Sequence, residues 1–304
     1  MLDAHQHLEP SDLVIDPACG SGGFLLQALK KIREERAAQY APEGTVEFDS
    51  LWRNYASRNL FGIEINDEIA RVAKMNMILH GDGHANVVRS DALVSEPSIR
   101  ELNEGIEFGT FDLVLTNPPF GAKLRLEERP FLAGFRLGNT YSKTGRAKPR
   151  KTQASEVVFI ERVFDLLKPG SGRGAVVLPD GILTNSRTAY VRDFILERFQ
   201  ALAVVSLPAA AFAHYGAGVK ASIMFLRRLA DGEKPPLDED VFLAEASFVG
   251  YDATGRATTN DLPSIVDDFR AFLRDPTSFR VDLPEAGPLM SPDAGSDEDE
   301  DGDG

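Results

Sequence analysis

The chain has 304 residues, 43% of them apolar, and a net charge of −14, enough length and apolar content for one α/β domain or one domain with a small appendage. The single cysteine, Cys19, excludes an internal disulfide and a cysteine-rich zinc site, and the five histidines are scattered, so no metal is expected. No run reaches the ~18 apolar residues of a membrane span, and Met1 to His7 lacks the basic-then-apolar order of a signal sequence, so a soluble, cytoplasmic protein without membrane contact is expected.

In chain order, apolar runs alternate with segments of helical period. Leu13 to Ala18 reads as a buried strand, and the spacing Leu25, Ala28, Leu29 and Ile32 describes one face of a helix. The stretch from Ala38 to Asn59 makes the first crossover long and reads as an inserted helix. Leu60 to Glu64 is a second strand, and Asn66 or Asp67 caps a helix running to about His80. A short third strand begins at Val87 and ends near Asp91, and Phe111 to Thr116 is a fourth.

Beyond residue 154, Val157, Ile160, Val163, Phe164 and Leu167 mark a helix stopped by Pro169 and Gly170. Gly174 to Pro179 and Ala201 to Leu207 are strands around a helix near Arg187 to Phe199, and Val219 to Leu226 is a further strand. Strands separated by helices predict an α/β fold: a mostly parallel sheet with helices on both faces. Residues 1–12 then precede a catalytic domain over 13–230. A C-terminal appendage spans 231–290, with a strand at Val241 to Ala246 and a helix near Leu262 to Leu273. An acidic tail, 291–304, holds seven carboxylates and no basic residue and is expected to be disordered.

Ligands of such sheets bind outside the carboxyl ends of the strands, where Asp16, Glu64, Asp91 and Asn117 stand. The string Asp16-Pro17-Ala18-Cys19-Gly20-Ser21-Gly22-Gly23-Phe24 joins a strand to a helix through glycines that permit a tight turn and close approach of a ligand to main-chain N–H groups. No Gly-Lys-Ser/Thr follows, so it is not a P-loop, and Ser21 lacks the Gly-x-Ser-x-Gly frame of a hydrolase elbow. A carboxylate at Asp16 suits a cationic ammonium better than a pyrophosphate. Glu64 is placed to accept ribose hydroxyls. Asp91 can accept from an adenine amine or, with Ser90, cap a helix.

Asn117-Pro118-Pro119-Phe120 is the more specific string. Two consecutive prolines stiffen the turn and donate no hydrogen bonds, which leaves the Asn117 side-chain oxygen and the Pro118 carbonyl as fixed acceptors. An amino group on an aromatic ring is a poor nucleophile because its lone pair is delocalised. Acceptors on its hydrogens favour a pyramidal nitrogen, and Phe120 offers a face for the ring.

These strings, with Gly62-Ile63-Glu64-Ile65-Asn66 and Asp91, resemble the S-adenosylmethionine-dependent DNA adenine-N6 methyltransferases. More narrowly they resemble the methylation subunit of type I restriction-modification systems. Leu166 to Gly170, Gly174 to Gly181, and Leu207-Pro208 followed by Phe212 and Gly216 follow that subunit's order of elements, and the likeness covers about residues 10 to 228. It implies a Rossmann-like methyltransferase sheet and S-adenosylmethionine as cofactor. The methionine part would lie on the loop of Asp16, Ala18, Gly20, Gly22, Gly23 and Phe24, the ribose on Glu64, and the adenine on Asp91 and Ile65. Asn117, Pro118, Pro119 and Phe120 would hold the target adenine, flipped out of double-stranded DNA. Specificity and restriction subunits are the implied partners.

Residues 121–154 carry nine basic residues against Glu127 and Glu128, a local balance of +7, with Phe131, Phe135 and Tyr141 interspersed. Such a loop suits a polyanion, and Lys123, Arg146, Lys148, Arg150 and Lys151 are its candidate nucleic-acid contacts. Chains of this family usually begin with a helical domain and a further cofactor-contacting segment, whereas Met1 to Asp12 alone precede the first strand here. Two other readings accompany the leading one: methylation of RNA or of a protein amide, and a catalytically silent remnant that assembles or binds DNA.

Overall fold

The computed structural model describes residues 11–33, 45–81, 86–213, 218–236 and 239–279. The expectations for residues 1–10, for the start of the inserted helix, for Gly216, for 280–290 and for the acidic tail lie outside the described residues.

The first half alternates strand and helix: β1 (Val14–Asp16), α1 (Gly23–Ile32), α2 (Val46–Asn59), β2 (Leu60–Glu64), α3 (Asp67–Leu79), β3 (Asn86–Arg89), α4 (Glu96–Arg100) and β4 (Leu113–Thr116). Four short strands follow, β5 (Lys123–Arg125), β6 (Asn139–Tyr141), β7 (Ala147–Pro149) and β8 (Thr152–Ala154), and lead into α5 (Ser155–Leu166). The remainder is β9 (Arg173–Pro179), α6 (Asp180–Thr184), α7 (Ala189–Arg198), β10 (Phe199–Ser206), α8 (Ala210–Ala213), β11 (Ala221–Arg228), β12 (Phe242–Glu245), β13 (Val249–Tyr251), β14 (Ala257–Asn260) and α9 (Leu262–Arg274).

Eight strands form one sheet in the order β12-β10-β11-β9-β4-β1-β2-β3. Every pairing in it is parallel except the two made by β11, which runs against β9 and β10. Side chains alternate between faces with period two, and the two apolar cores follow that alternation. Ile15, Ile63, Val114 and Val176 point to the face packed by α5 and α7, where Val163, Phe194 and Ile195 are buried. Val14, Leu60, Leu113 and Ala175 point to the other face, with Leu25 and Leu29 of α1 and Ala73 and Met77 of α3. A parallel sheet covered on both faces explains why its strands read as apolar runs.

Local signals set the element ends. Gly22, at φ 87°, is the residue before α1, and its turn is closed by its own N–H to the Cys19 carbonyl at 2.8 Å. Asn66, rather than Asp67, caps α3, its side-chain oxygen accepting from the N–H groups of Glu68 and Ile69 at 2.9 and 3.1 Å. At Gly62 a Cβ would stand 2.9 Å from Leu25 Cδ1 and 3.0 Å from Cys19 Sγ, so glycine here lets the Leu25 and Cys19 side chains pack directly on β2.

Two expectations change. Residues 121–154 are not an open loop: β5 pairs with β8 and β6 with β7, both antiparallel. The appendage expected from residue 231 continues the main body, because β12 pairs with β10 and Phe269 and Phe272 of α9 join the core of Phe225 and Phe242. No helix among the described residues is long and apolar enough to cross a membrane.

Candidate active site

The strand order reverses between β1 and β4, and in a parallel sheet that point opens a crevice beyond the carboxyl ends. A cavity of about 420 Å³ lies there. Its wall takes Pro17 and Ala18 after β1, Glu64 and Ile65 at the end of β2, Asp91 after β3, and Asn117 and Pro119 after β4. The other side is closed by Leu124 and Arg129 from the segment after β4 and by Ser155 and Phe159 of α5.

Glu64 ties two backbone turns together: one carboxylate oxygen accepts the Gly20 N–H at 3.0 Å and the other the Asn66 N–H at 2.8 Å. Each oxygen keeps a lone pair for a ligand hydroxyl. Asp91 accepts the Leu93 N–H at 3.0 Å through one oxygen and pairs with Arg129 through the other. It therefore holds the turn after β3 and does not cap α4, whose first flanking residue is Ser95.

Asp16 does not reach the cavity wall. It is 1% exposed beneath the loop, with one oxygen accepting the Ala18 N–H at 3.0 Å. Burial pushes its carboxyl up to about 7, the Ala18 N–H and the nearby Thr116 hydroxyl partly oppose the rise, and the Glu64 charge adds to it. The Thr116 hydroxyl is buried and stands outside hydrogen-bond geometry with any described group. Gly22 packs against Ala73, Gly23 begins α1, and Phe24 packs on the apolar core, so these three shape the loop from behind. Cys19 is buried, and burial raises its thiol above the ordinary range.

The Asn-Pro-Pro-Phe turn is held from one side. The Ser155 hydroxyl donates to the Pro119 carbonyl at 2.7 Å, the Gly121 N–H donates to Glu156 Oε2 at 3.1 Å, and the Ser155 N–H donates to the Ala122 carbonyl at 2.9 Å. Ser155 and Glu156 are 2% and 7% exposed, which makes this bracing rigid. Among the described residues, neither the Asn117 side chain nor the Pro118 carbonyl has a hydrogen-bond partner, so both remain acceptors. Phe120 is half-buried and meets Phe212 of α8 edge to face, ring centres 6.1 Å apart.

The basic segment divides into two sets. Lys123, Arg146, Lys148 and Lys151 are exposed. Arg150 is half-buried, its guanidinium 4.4 Å from the centre of the Tyr190 ring, and Arg136 pairs with Glu197 at 2.6 Å. Of the interspersed aromatics Tyr141 is exposed, Phe131 is half-buried, and Phe135 is buried in the core beneath Arg162.

The donor set fits an adenosyl ligand. Glu64 and Asp91 offer carboxylate oxygens at two neighbouring strand ends, and Ile65 and Ala18 offer apolar surface on the same cavity wall. Sequence reasoning missed Arg129, Ser155, Glu156 and Phe159. Ser155 and Glu156 stand at the start of an amphipathic helix, where a serine and an acid read as ordinary helix-start residues. Arg129 was one of nine cations in an unpatterned run.

The family model for N-6 DNA Methylase matches residues 4–284. The chain is 27% identical over 262 residues to the type II restriction enzyme and methyltransferase RM.BcgI of Heyndrickxia coagulans, covering 86% of this chain and 33% of that protein. It is 25% identical over 221 residues to the type I restriction enzyme EcoKI methylase subunit of Escherichia coli strain K12, covering 72% of this chain and 37% of that protein. The chain thus spans about a third of the length of these curated relatives. Among solved structures, a modification subunit of a putative type I restriction enzyme from Vibrio vulnificus YJ016 superposes with a TM-score of 0.62 at 22% identity, over 90% of this chain and 51% of that one.

Proposed function

The chain belongs to the N-6 DNA methylase family, and from that membership we propose that it transfers a methyl group from S-adenosylmethionine to N6 of adenine in double-stranded DNA. We further propose that it does so as the modification subunit of a type I restriction-modification system, with specificity and restriction subunits as partners. The observation that carries this reading is the meeting, on one cavity at the order reversal of the sheet, of Glu64 and Asp91 with Asn117 and Pro119.

Ala18, Glu64, Ile65 and Asp91 would hold the cofactor, which when bound supplies an electrophilic methyl on a sulfonium. Glu64 accepts from the ribose hydroxyls and stays oriented by the Gly20 and Asn66 N–H groups. Asp91 accepts from the exocyclic amine of the cofactor's adenine. The target base leaves the helix stack at a cost of a few kcal/mol and lies against Phe120. Asn117 Oδ1 and the Pro118 carbonyl accept the two N6 hydrogens and turn the nitrogen lone pair toward the methyl. Because Ser155 and Glu156 already hold the turn, these acceptors need no rearrangement when charge develops on nitrogen. Lys123, Arg146, Lys148 and Lys151 would meet DNA phosphates.

The test is methyl transfer from labelled S-adenosylmethionine to duplex DNA by the chain together with its specificity subunit, parent against Asn117→Ala. Loss of an acceptor made for the transition state is expected to slow transfer by about 100-fold or more, with cofactor affinity kept. A variant that labels adenine at the parental rate overturns the proposal.

A further inference from the structure

Asp91 and Arg129 face each other across the mouth of the cavity, 38 residues apart in sequence and on different parts of the fold. Asp91 belongs to the turn that follows β3 of the main sheet. Arg129 belongs to the segment that also carries the exposed cations, between β5 and the short turn Pro130–Gly134. The two side chains are 18% and 29% exposed, so the pair sits at the rim, shielded enough to matter and open enough to be reached by a ligand. Arg129 is itself seated: its N–H donates to the Arg125 carbonyl at 2.9 Å, and its carbonyl accepts the Leu132 N–H at 3.0 Å.

We propose that Arg129 is a positioning residue for the cofactor pocket: it fixes the Asp91 carboxylate and makes the basic segment the outer wall of the adenosyl site. The inference rests on the methyltransferase reading above. With one oxygen on the Leu93 N–H and the other on a guanidinium, the carboxylate plane has no freedom to turn. Each oxygen keeps acceptor capacity for a ligand, on a carboxylate that lines the cavity and is held in one orientation. A lone carboxylate on a turn would sample several rotamers and lose entropy on meeting an amine; this one has lost it already. The cavity holds about 420 Å³ with the ion pair in place, so Arg129 lines the space without filling it. Leu124 of β5 and Arg129 stand on the same wall, so the segment whose cations face outward also closes the pocket on its inner side.

The experiment is calorimetric titration of the chain with S-adenosylhomocysteine and with its inosine counterpart, which carries a 6-oxo group in place of the amine. The proteins are the parent, Arg129→Ala, Arg129→Gln and Arg129→Lys, each checked for an unchanged thermal midpoint. Arg129→Ala and Arg129→Gln are expected to weaken S-adenosylhomocysteine binding by about tenfold, the scale of one charge-assisted hydrogen bond. They are also expected to narrow the preference for the amine over the 6-oxo ligand. Arg129→Lys is expected to recover part of both, since an ammonium can still pair with one oxygen. A general loosening of the fold would weaken both ligands equally and would not be rescued by lysine, and that result overturns the proposal. So does binding that is unchanged or tightened in Arg129→Ala, the latter making Arg129 a plug. A parent that binds neither ligand overturns the methyltransferase reading itself and the inference with it, so the two failures are told apart.

Discussion

Asp16 shows how far a residue's position in the sequence determines its work. That it ends a strand next to the glycine loop follows from an apolar run meeting Pro17 and the glycines. That its side chain turns inward, to the Ala18 N–H and away from the cavity, does not follow, because spacing places the Cα and leaves the rotamer to packing. The buried carboxyl has a consequence for stability. Its folded-state value is about 7 against 3.8 for the free group, so between those values the folded chain keeps a proton that the unfolded chain has released. The stabilisation tied to that proton is complete below about pH 4 and is lost as pH rises through 7, at roughly 1.4 kcal/mol per pH unit. Asp16→Asn removes the titration while Asn can still accept from Ala18. Relative to the parent, this variant is expected to gain about 2 kcal/mol more at pH 8 than at pH 5.5, measured by denaturant unfolding. An equal difference at the two pH values would show that the carboxyl is not held in its protonated form.

At the scale of elements, the main strands and helices were readable because each is an apolar run or a helical stripe longer than its noise, and the caps at Gly22 and Asn66 fall where composition places them. Segment 121–154 was not readable in the same way. Its four strands have three residues each, too short for a period to emerge, and one of their two pairings, β5 with β8, joins residues far apart in sequence, such as Leu124 with Gln153. Its charge was readable, but not which charges are spent internally. Arg136 and Arg150 are engaged with Glu197 and Tyr190, whereas Arg146, Lys148 and Lys151 are exposed. Substituting the last three together with glutamine is expected to weaken duplex DNA binding and to lower the slope of log affinity against log salt by about 2 to 3, near 0.9 for each phosphate that is no longer neutralised. Arg150→Gln alone is expected to leave that slope alone and to lower the thermal midpoint, because no guanidinium then rests on the Tyr190 ring. A triple variant with the parental slope would show that this face does not meet DNA.

For the whole molecule, the mostly parallel sheet could be read from alternating strands and helices, but the partner of each strand could not. The reversed strand β11 and the edge strand β12 are outcomes of long-range pairing. Residues 231–290 were expected as an appendage because they carry no motif, yet the lack of a motif says nothing about packing. Phe269 is 5% exposed, with ring centres 5.9 Å from Phe225 of β11 and 5.3 Å from Phe242 of β12, so α9 covers the same face of the sheet as α1 and α3. If that face is one core, Phe269→Ala should cost about 3 to 5 kcal/mol of global stability, the usual range for emptying a buried phenylalanine site. The loss should appear as one cooperative transition shifted to lower denaturant, with calorimetry and circular dichroism coincident. If residues 239–279 formed a separate unit, the variant would instead split the melt in two, leaving an upper transition at the parental midpoint while only the lower one moved.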